Sequence, residues 1–86
     1  MVQVNDVLRD NDPRRPYRFL KVVWINPLDG MIHCEKLTSA DGSLVTPHRM
    51  RPINPDRIGP GVRGYRIVEG PEDVPQELRS RIGLQS

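Results

Sequence analysis

The chain is 86 residues long, 36% hydrophobic and 28% charged, with nine Pro, seven Gly and a net charge of only +2. A length of this order builds one small domain with a single modest core and little stability to spare, and the apolar content excludes a disordered chain. The single cysteine excludes an internal disulfide.

Val2, Val4 and Leu8 stand at even spacing and predict a first strand within residues 2–8, with Asp6 in the same register marking an irregular or late start. Residues 9–16, Arg-Asp-Asn-Asp-Pro-Arg-Arg-Pro, then read as a stiff turn. Asp and Asn side chains bond to nearby backbone N–H groups, and each proline fixes its own φ and restricts the residue before it. Residues 17–25 are rich in aromatic and β-branched side chains and predict a second strand. Alternation puts Tyr17, Phe19, Lys21, Val23 and Ile25 on one face and Arg18, Leu20, Val22 and Trp24 on the other, so both faces are partly apolar. Either a bulge switches the faces midway, or the tail or a partner covers the second one.

Asn26, Pro27, Leu28, Asp29 and Gly30 supply a hairpin turn. A third strand follows over residues 31–38, with Ile32 and Cys34 inward, His33 and Glu35 outward and Leu37 past a small bulge. A second turn of the same chemistry covers residues 39–42. Residues 44–53 predict a fourth extended stretch that Pro47 and Pro52 must break or place at an edge. Residues 54–58 read as a tight or 3₁₀ turn, residues 59–64 as a Gly/Pro-rich linker and residues 65–68 as a last strand. Five short strands between turns predict a mainly β fold over residues 1–68, a small five-stranded, partly open barrel.

Residues 69–86 differ in kind. Asp73 and Gln76 form a capping box, Pro75 sits in the first turn, Gly83 is a stop, and Val74, Leu78 and Ile82 fall on one stripe. That pattern predicts a short helix over residues 74–82, too short to stand alone and therefore docked, with the spare face of the second strand as the candidate.

Four segments, Arg9-Asp10-Asn11-Asp12-Pro13-Arg14, Leu20-Lys21-Val22-Val23, Cys34-Glu35-Lys36-Leu37-Thr38 and Gly64-Tyr65-Arg66-Ile67-Val68, resemble a family of small proteins of actinobacteria and their phages. The resemblance covers roughly residues 4–68, rests mainly on the Arg-Asp-Asn-Asp turn, and implies an SH3-like barrel without implying an activity. The chain departs from the pattern at Pro52 and after Val68, which leaves the fourth strand and the helix outside the analogy. A fold reached this way does not supply a function.

The charge is unevenly spread: residues 1–66 hold eleven Lys/Arg against seven Asp/Glu, and residues 67–86 hold two against four. Eleven of the thirteen cations are Arg, the side chain suited to bidentate contact with phosphate or carboxylate. Arg9, Arg14, Arg15, Arg18 and Lys21 form one basic set and Arg49, Arg51, Arg57, Arg63 and Arg66 a second, with Tyr17, Tyr65 and Trp24 interleaved. Arg9, Arg14, Arg15, Tyr17, Arg18, Lys21, Arg49 and Arg51 are the expected nucleic-acid-binding residues, contacting DNA or RNA by charge and shape, with Tyr17 as a stacking platform. The bland reading is equally weighted: solvated arginines paired with Asp10, Asp12, Glu35 and Asp56. The alternative function is a protein-interaction module, a phage-type host-factor binder or homodimeric regulator. It would present Trp24, Val74, Leu78 and Ile82 or set its arginine loop against an acidic protein surface.

Asp10, Asn11 and Asp12 resemble the start of a calcium loop, but Pro13 and Arg14 occupy the fourth and fifth places and the later ligands are missing. His33, Cys34 and His48 lack a zinc-site spacing, because His33 and Cys34 as strand neighbours face opposite ways. No Gly-rich phosphate loop, nucleophile elbow or His-Glu-x-x-His is present, so enzyme is the least supported class and no metal or cofactor is expected. The longest nearly apolar run, residues 19–25, contains Lys21 and falls far short of the roughly 20 residues a membrane span needs. With no basic start followed by an apolar stretch, a cytoplasmic location is expected.

Overall fold

The computed structural model describes residues 2–15, 17–39 and 43–79. Five strands, β1 (Val7–Asp10), β2 (Phe19–Ile25), β3 (Ile32–Thr38), β4 (Leu44–Arg49) and β5 (Tyr65–Ile67), form one antiparallel sheet in the order β4-β3-β2-β1-β5. Pro55–Arg57 and Pro71–Asp73 are 3₁₀ turns, and α1 is a single helical turn, Gln76–Arg79. The turn expected at residues 39–42 falls largely outside the described residues, as does the last part of the helix expected over residues 74–82; its described start differs, since Asp73 ends a 3₁₀ turn and accepts the Glu69 N–H, Val74 is extended, and only Gln76–Arg79 is helical. No helix among the described residues is long and apolar enough to cross a membrane.

β1 starts late, at Val7, and Asn5 ahead of it takes a positive φ of 78°. β4 ends at Arg49, short of the expected stretch to residue 53, and lies at an edge of the sheet, where the missing N–H of Pro47 is tolerated. Gly30 closes the first hairpin with φ +74°, a conformation glycine adopts without steric cost.

The sheet is not closed, since β4 and β5 lie at opposite edges and are not paired with each other. The segment from Ile53 to Ile58 spans the gap. Ile53 pairs with Ile32 of β3 through two backbone hydrogen bonds of 2.8 and 2.9 Å. Five residues on, Ile58 bridges Tyr65, and the Gly59 N–H donates to the Tyr65 carbonyl at 2.8 Å. Asn54 caps the intervening 3₁₀ turn by accepting the Asp56 N–H at 2.9 Å. This strap also covers the outer edge of β5.

One core was expected, and the structure has two hydrophobic clusters. Leu8, Leu20, Val22, Ile32, Cys34, Ile53 and Tyr65 form the larger, with Val2, Ile25, Met50, Ile58 and Ile67 packed against it. Phe19, Val74 and Leu78 form the smaller, joined by Val7, Tyr17, Leu37 and Val68. Adjacent residues go to different clusters: Val7 and Leu8 in β1, Phe19 and Leu20 in β2. Strand alternation alone produces that division once the tail supplies cover for the second face.

β2 uses both devices that its sequence calls for. The tail buries Phe19, and a bulge shifts the register between Val22, opposite Cys34, and Trp24, opposite His33. Leu20 and Val22 point into the larger cluster before the bulge, and Ile25 does so after it, which changes the inward parity from even to odd. Thr38 anchors the beginning of β2: its buried hydroxyl accepts the Phe19 N–H at 3.1 Å and donates to the Tyr17 carbonyl.

Val74 and Leu78 are both 1% exposed and each burial contributes roughly 1.5–3 kcal/mol. Leu78→Ala is therefore expected to cost about 2–4 kcal/mol, read as a lower urea midpoint by circular dichroism with the slope unchanged.

Candidate functional site

The loop from β1 to β2 is built by its own acidic side chains. Asp10 accepts the Asp12 N–H at 2.9 Å, and Asp12 accepts the Arg14 N–H at 2.9 Å, which makes two successive side-chain-closed turns. The Arg15 N–H adds a bond to the Asp12 carbonyl at 2.9 Å. Asn11 bonds instead to the glycine-rich loop before β5. Its side-chain amide donates to the carbonyls of Gly59 at 2.5 Å and Gly61 at 3.0 Å, and its backbone N–H donates to Gly64 at 3.1 Å. Gly64 is required where it stands, because a Cβ there would collide with the Arg57 carbonyl oxygen.

Between the two fastened loops lies a cleft of about 450 Å³ lined by Arg14, Arg15, Arg18, Arg57 and Arg63, with Val62 and Tyr65 on its apolar side. Asp10 and Asp12 also line it, so five cations stand against two carboxylates.

The five guanidinium groups are not equivalent. Arg14 is held on Asp12 through Nε at 3.1 Å and Nη2 at 2.9 Å. Arg57 donates from Nε at 3.0 Å and Nη2 at 2.5 Å to the Arg63 carbonyl and lies over the Tyr65 ring at 5.5 Å. Arg18 approaches Asp10 only at 3.7 Å, and its buried Nε has no hydrogen-bond partner. Arg15 and Arg63 are exposed and make no ion pair among the described residues.

The remaining sequence-derived candidates are dispersed. Arg9 donates to the Asp73 carbonyl at 2.6 Å and lies 5.9 Å from the Phe19 ring centroid. Partial burial, then the neighbouring Arg66, lower its pKa. Tyr17 is half-buried against the Phe19 cluster, which removes ring surface from stacking. Lys21 stands in register with Val7 and Glu35, and Arg49 opposes Glu35 on edge strand β4. Arg51 is exposed just beyond β4. Arg57 and Arg63, absent from the expected site, are brought to Arg14, Arg15 and Arg18 by the Asn11 bonds, and the glycines flanking them were the available signal.

For the alternative surface, Trp24 is 48% exposed, with its ring tilted against His33 at 4.9 Å. Val74 and Leu78 are not on that surface: burial against Phe19 satisfies their apolar side chains and withdraws them from any partner. Ile82 lies outside the described residues. Cys34 faces the larger cluster, and His33 meets Trp24 instead. No group of three metal-capable side chains converges among the described residues.

Comparisons with protein-family models, curated proteins and solved structures give no match to this chain.

Arg14 holds the Asp12 carboxyl down to about 2, first through its side-chain hydrogen bonds and then through its backbone N–H. Because the folded pKa lies below the unfolded one, the stabilisation is present above the usual carboxylate range and is lost as pH falls through about 2. An NMR titration should find the Asp12 carboxyl ionised until that pH, and Arg14→Gln should return it toward 3.8. Burial pushes the Cys34 thiol up to about 11. At neutral pH the folded protein is therefore expected to resist a thiol-modifying reagent and the urea-unfolded chain to react rapidly.

Proposed function

We propose that the chain is a non-enzymatic SH3-like, partly open barrel that binds DNA or RNA through the five-arginine cleft. The strap from Ile53 to Ile58 supports the barrel reading, since it spans the opening between the β3 side and β5. It adds to the likeness of the Arg9-Asp10-Asn11-Asp12 turn to small proteins of actinobacteria and their phages. A cytoplasmic location and the absence of a cofactor belong to the same reading.

One observation carries the functional part: arginines from two loops far apart in sequence converge on one cleft with a formal excess of three positive charges. Charge concentrated in a concavity attracts a polyanion even when the net charge of the chain is small. Recognition is by charge and shape, because among the described residues α1 has only four residues and no helix is presented for a major groove.

The exposed Trp24 favours a second reading, a protein partner or a second copy of the chain on the outer face of the bulge.

Fluorescence anisotropy with labelled single-stranded and duplex DNA and RNA at two salt concentrations tests the first reading. Binding should weaken as salt rises, by a slope of roughly 0.7 per phosphate contact for single strands. Arg15→Glu/Arg63→Glu should weaken it by roughly tenfold or more, given contacts worth about 1.5–3 kcal/mol each. Arg49→Glu/Arg51→Glu, which do not line the cleft, should weaken it much less. Absence of binding at low salt would overturn this reading in favour of a protein partner.

A further inference from the structure

A second pocket, of about 320 Å³, adjoins the cleft and is lined by Arg15, Arg18, Lys36 and Ser39. Arg15 and Arg18 line both spaces, so the two meet along these side chains. Their electrostatics differ. Asp10 and Asp12 line the cleft, whereas the described lining of the second pocket holds three cations, a hydroxyl and no carboxylate. Lys36 faces Leu20 on one neighbouring strand and His48 on the other, and makes no ion pair among the described residues. The Ser39 hydroxyl lies 2.7 Å from the Ser43 hydroxyl, which places a polar wall where β3 ends. The buried, unpartnered Nε belongs to Arg18, one of the two residues shared by both spaces.

We propose that this second pocket holds the terminal phosphate of a nucleic-acid strand while the adjoining diester backbone lies in the five-arginine cleft. The inference rests on the nucleic-acid reading and narrows it to ends. A terminal phosphate carries about −1.5 to −2 charges at neutral pH and three strong acceptor oxygens. An internal diester carries one charge. Among the described residues the second pocket is lined by three cations and no carboxylate, with only Arg18 set loosely on Asp10 at 3.7 Å from outside that lining, which matches the dianion; a cleft lined by two aspartates matches the monoanion. Arginine provides the planar fork that suits phosphate oxygens, and Lys36 adds a point charge to the same lining.

The test is anisotropy on the full chain with short single strands that carry a phosphate at the 5′ end, at the 3′ end, or at neither. One phosphorylated end should tighten binding by about tenfold over the hydroxyl-ended strand, the return on one added charge-assisted contact. The advantage should fade below about pH 6 as the phosphate takes up its second proton. Lys36→Gln should erase the advantage while leaving hydroxyl-ended strands bound as before. Lys36→Arg should retain it, and matched circular dichroism spectra should show both variants folded. Equal affinity for all three strands, or an equal loss for all three in Lys36→Gln, would overturn the terminal-phosphate site and leave the cleft standing. Failure of every strand to bind at low salt would overturn the nucleic-acid reading and this site with it.

Discussion

Asn11 ties the loop after β1 to the glycine-rich loop before β5. Its three hydrogen bonds reach carbonyls at residues 59, 61 and 64, about fifty positions along the chain. A glycine-rich loop has more conformational freedom to lose than any other kind, and bonds that fix its carbonyls are what give it a shape. The bonds also place Arg57 and Arg63 opposite Arg14, Arg15 and Arg18, so the cleft exists because of this side chain. The backbone beside it completes the link: Asp10 pairs with Tyr65 and Arg9 with Arg66 on the β1–β5 ladder. A short polar turn thus fixes β5, the strap and the basic cleft relative to one another.

β2 imposes the other constraint. Phe19 and Leu20 are both fully buried though they point to opposite faces, and a sheet with one solvated face cannot satisfy both. The tail resolves this by laying Val74 and Leu78 against Phe19. Arg9 reinforces the contact, with its guanidinium near Phe19 and its donor on the Asp73 carbonyl. The acidic tail consequently holds one member of the basic set away from the cleft.

Much of this was legible locally. The positions of the second, third and last strands, the bulge-or-cover choice for β2, the 3₁₀ turn after Asn54 and the docking of Val74 and Leu78 follow from alternation, turn chemistry and one apolar stripe, whereas the first strand lies at Val7–Asp10 and takes Arg9 and Asp10 out of the expected turn. What was not legible depended on partners distant in sequence. Ile53 reads as the end of a fourth strand, yet Pro52 separates it from β4 and its hydrogen bonds go to Ile32. The tail was expected on the second strand, but that Val7, Leu37 and Val68 join Phe19 there to make a cluster of its own depends on strand pairing that alternation does not reveal. The arginines were visible as residues but not as a set: Arg9, Lys21, Arg49 and Arg51 carry the right charge, and only the fold shows that they lie apart from Arg57 and Arg63.

The five arginines of the cleft differ in how far the fold has already ordered them. Ordering a free arginine side chain on binding costs up to about 2 kcal/mol, which offsets much of a surface contact. Arg14 and Arg57 are already ordered by Asp12 and by the Arg63 carbonyl and Tyr65, so their contribution to the local potential comes without that cost. Each still keeps donors outside these bonds, since a guanidinium has five and the fixed contacts use two. Arg15 and Arg63 make no such side-chain contacts among the described residues. Arg18 stands between the two states, loosely set on Asp10 with its Nε unbonded. Two guanidinium groups fixed by the fold, two without such contacts among the described residues and one set loosely beside Asp10 give the cleft a graded order, on which the proposed recognition by charge and shape would draw.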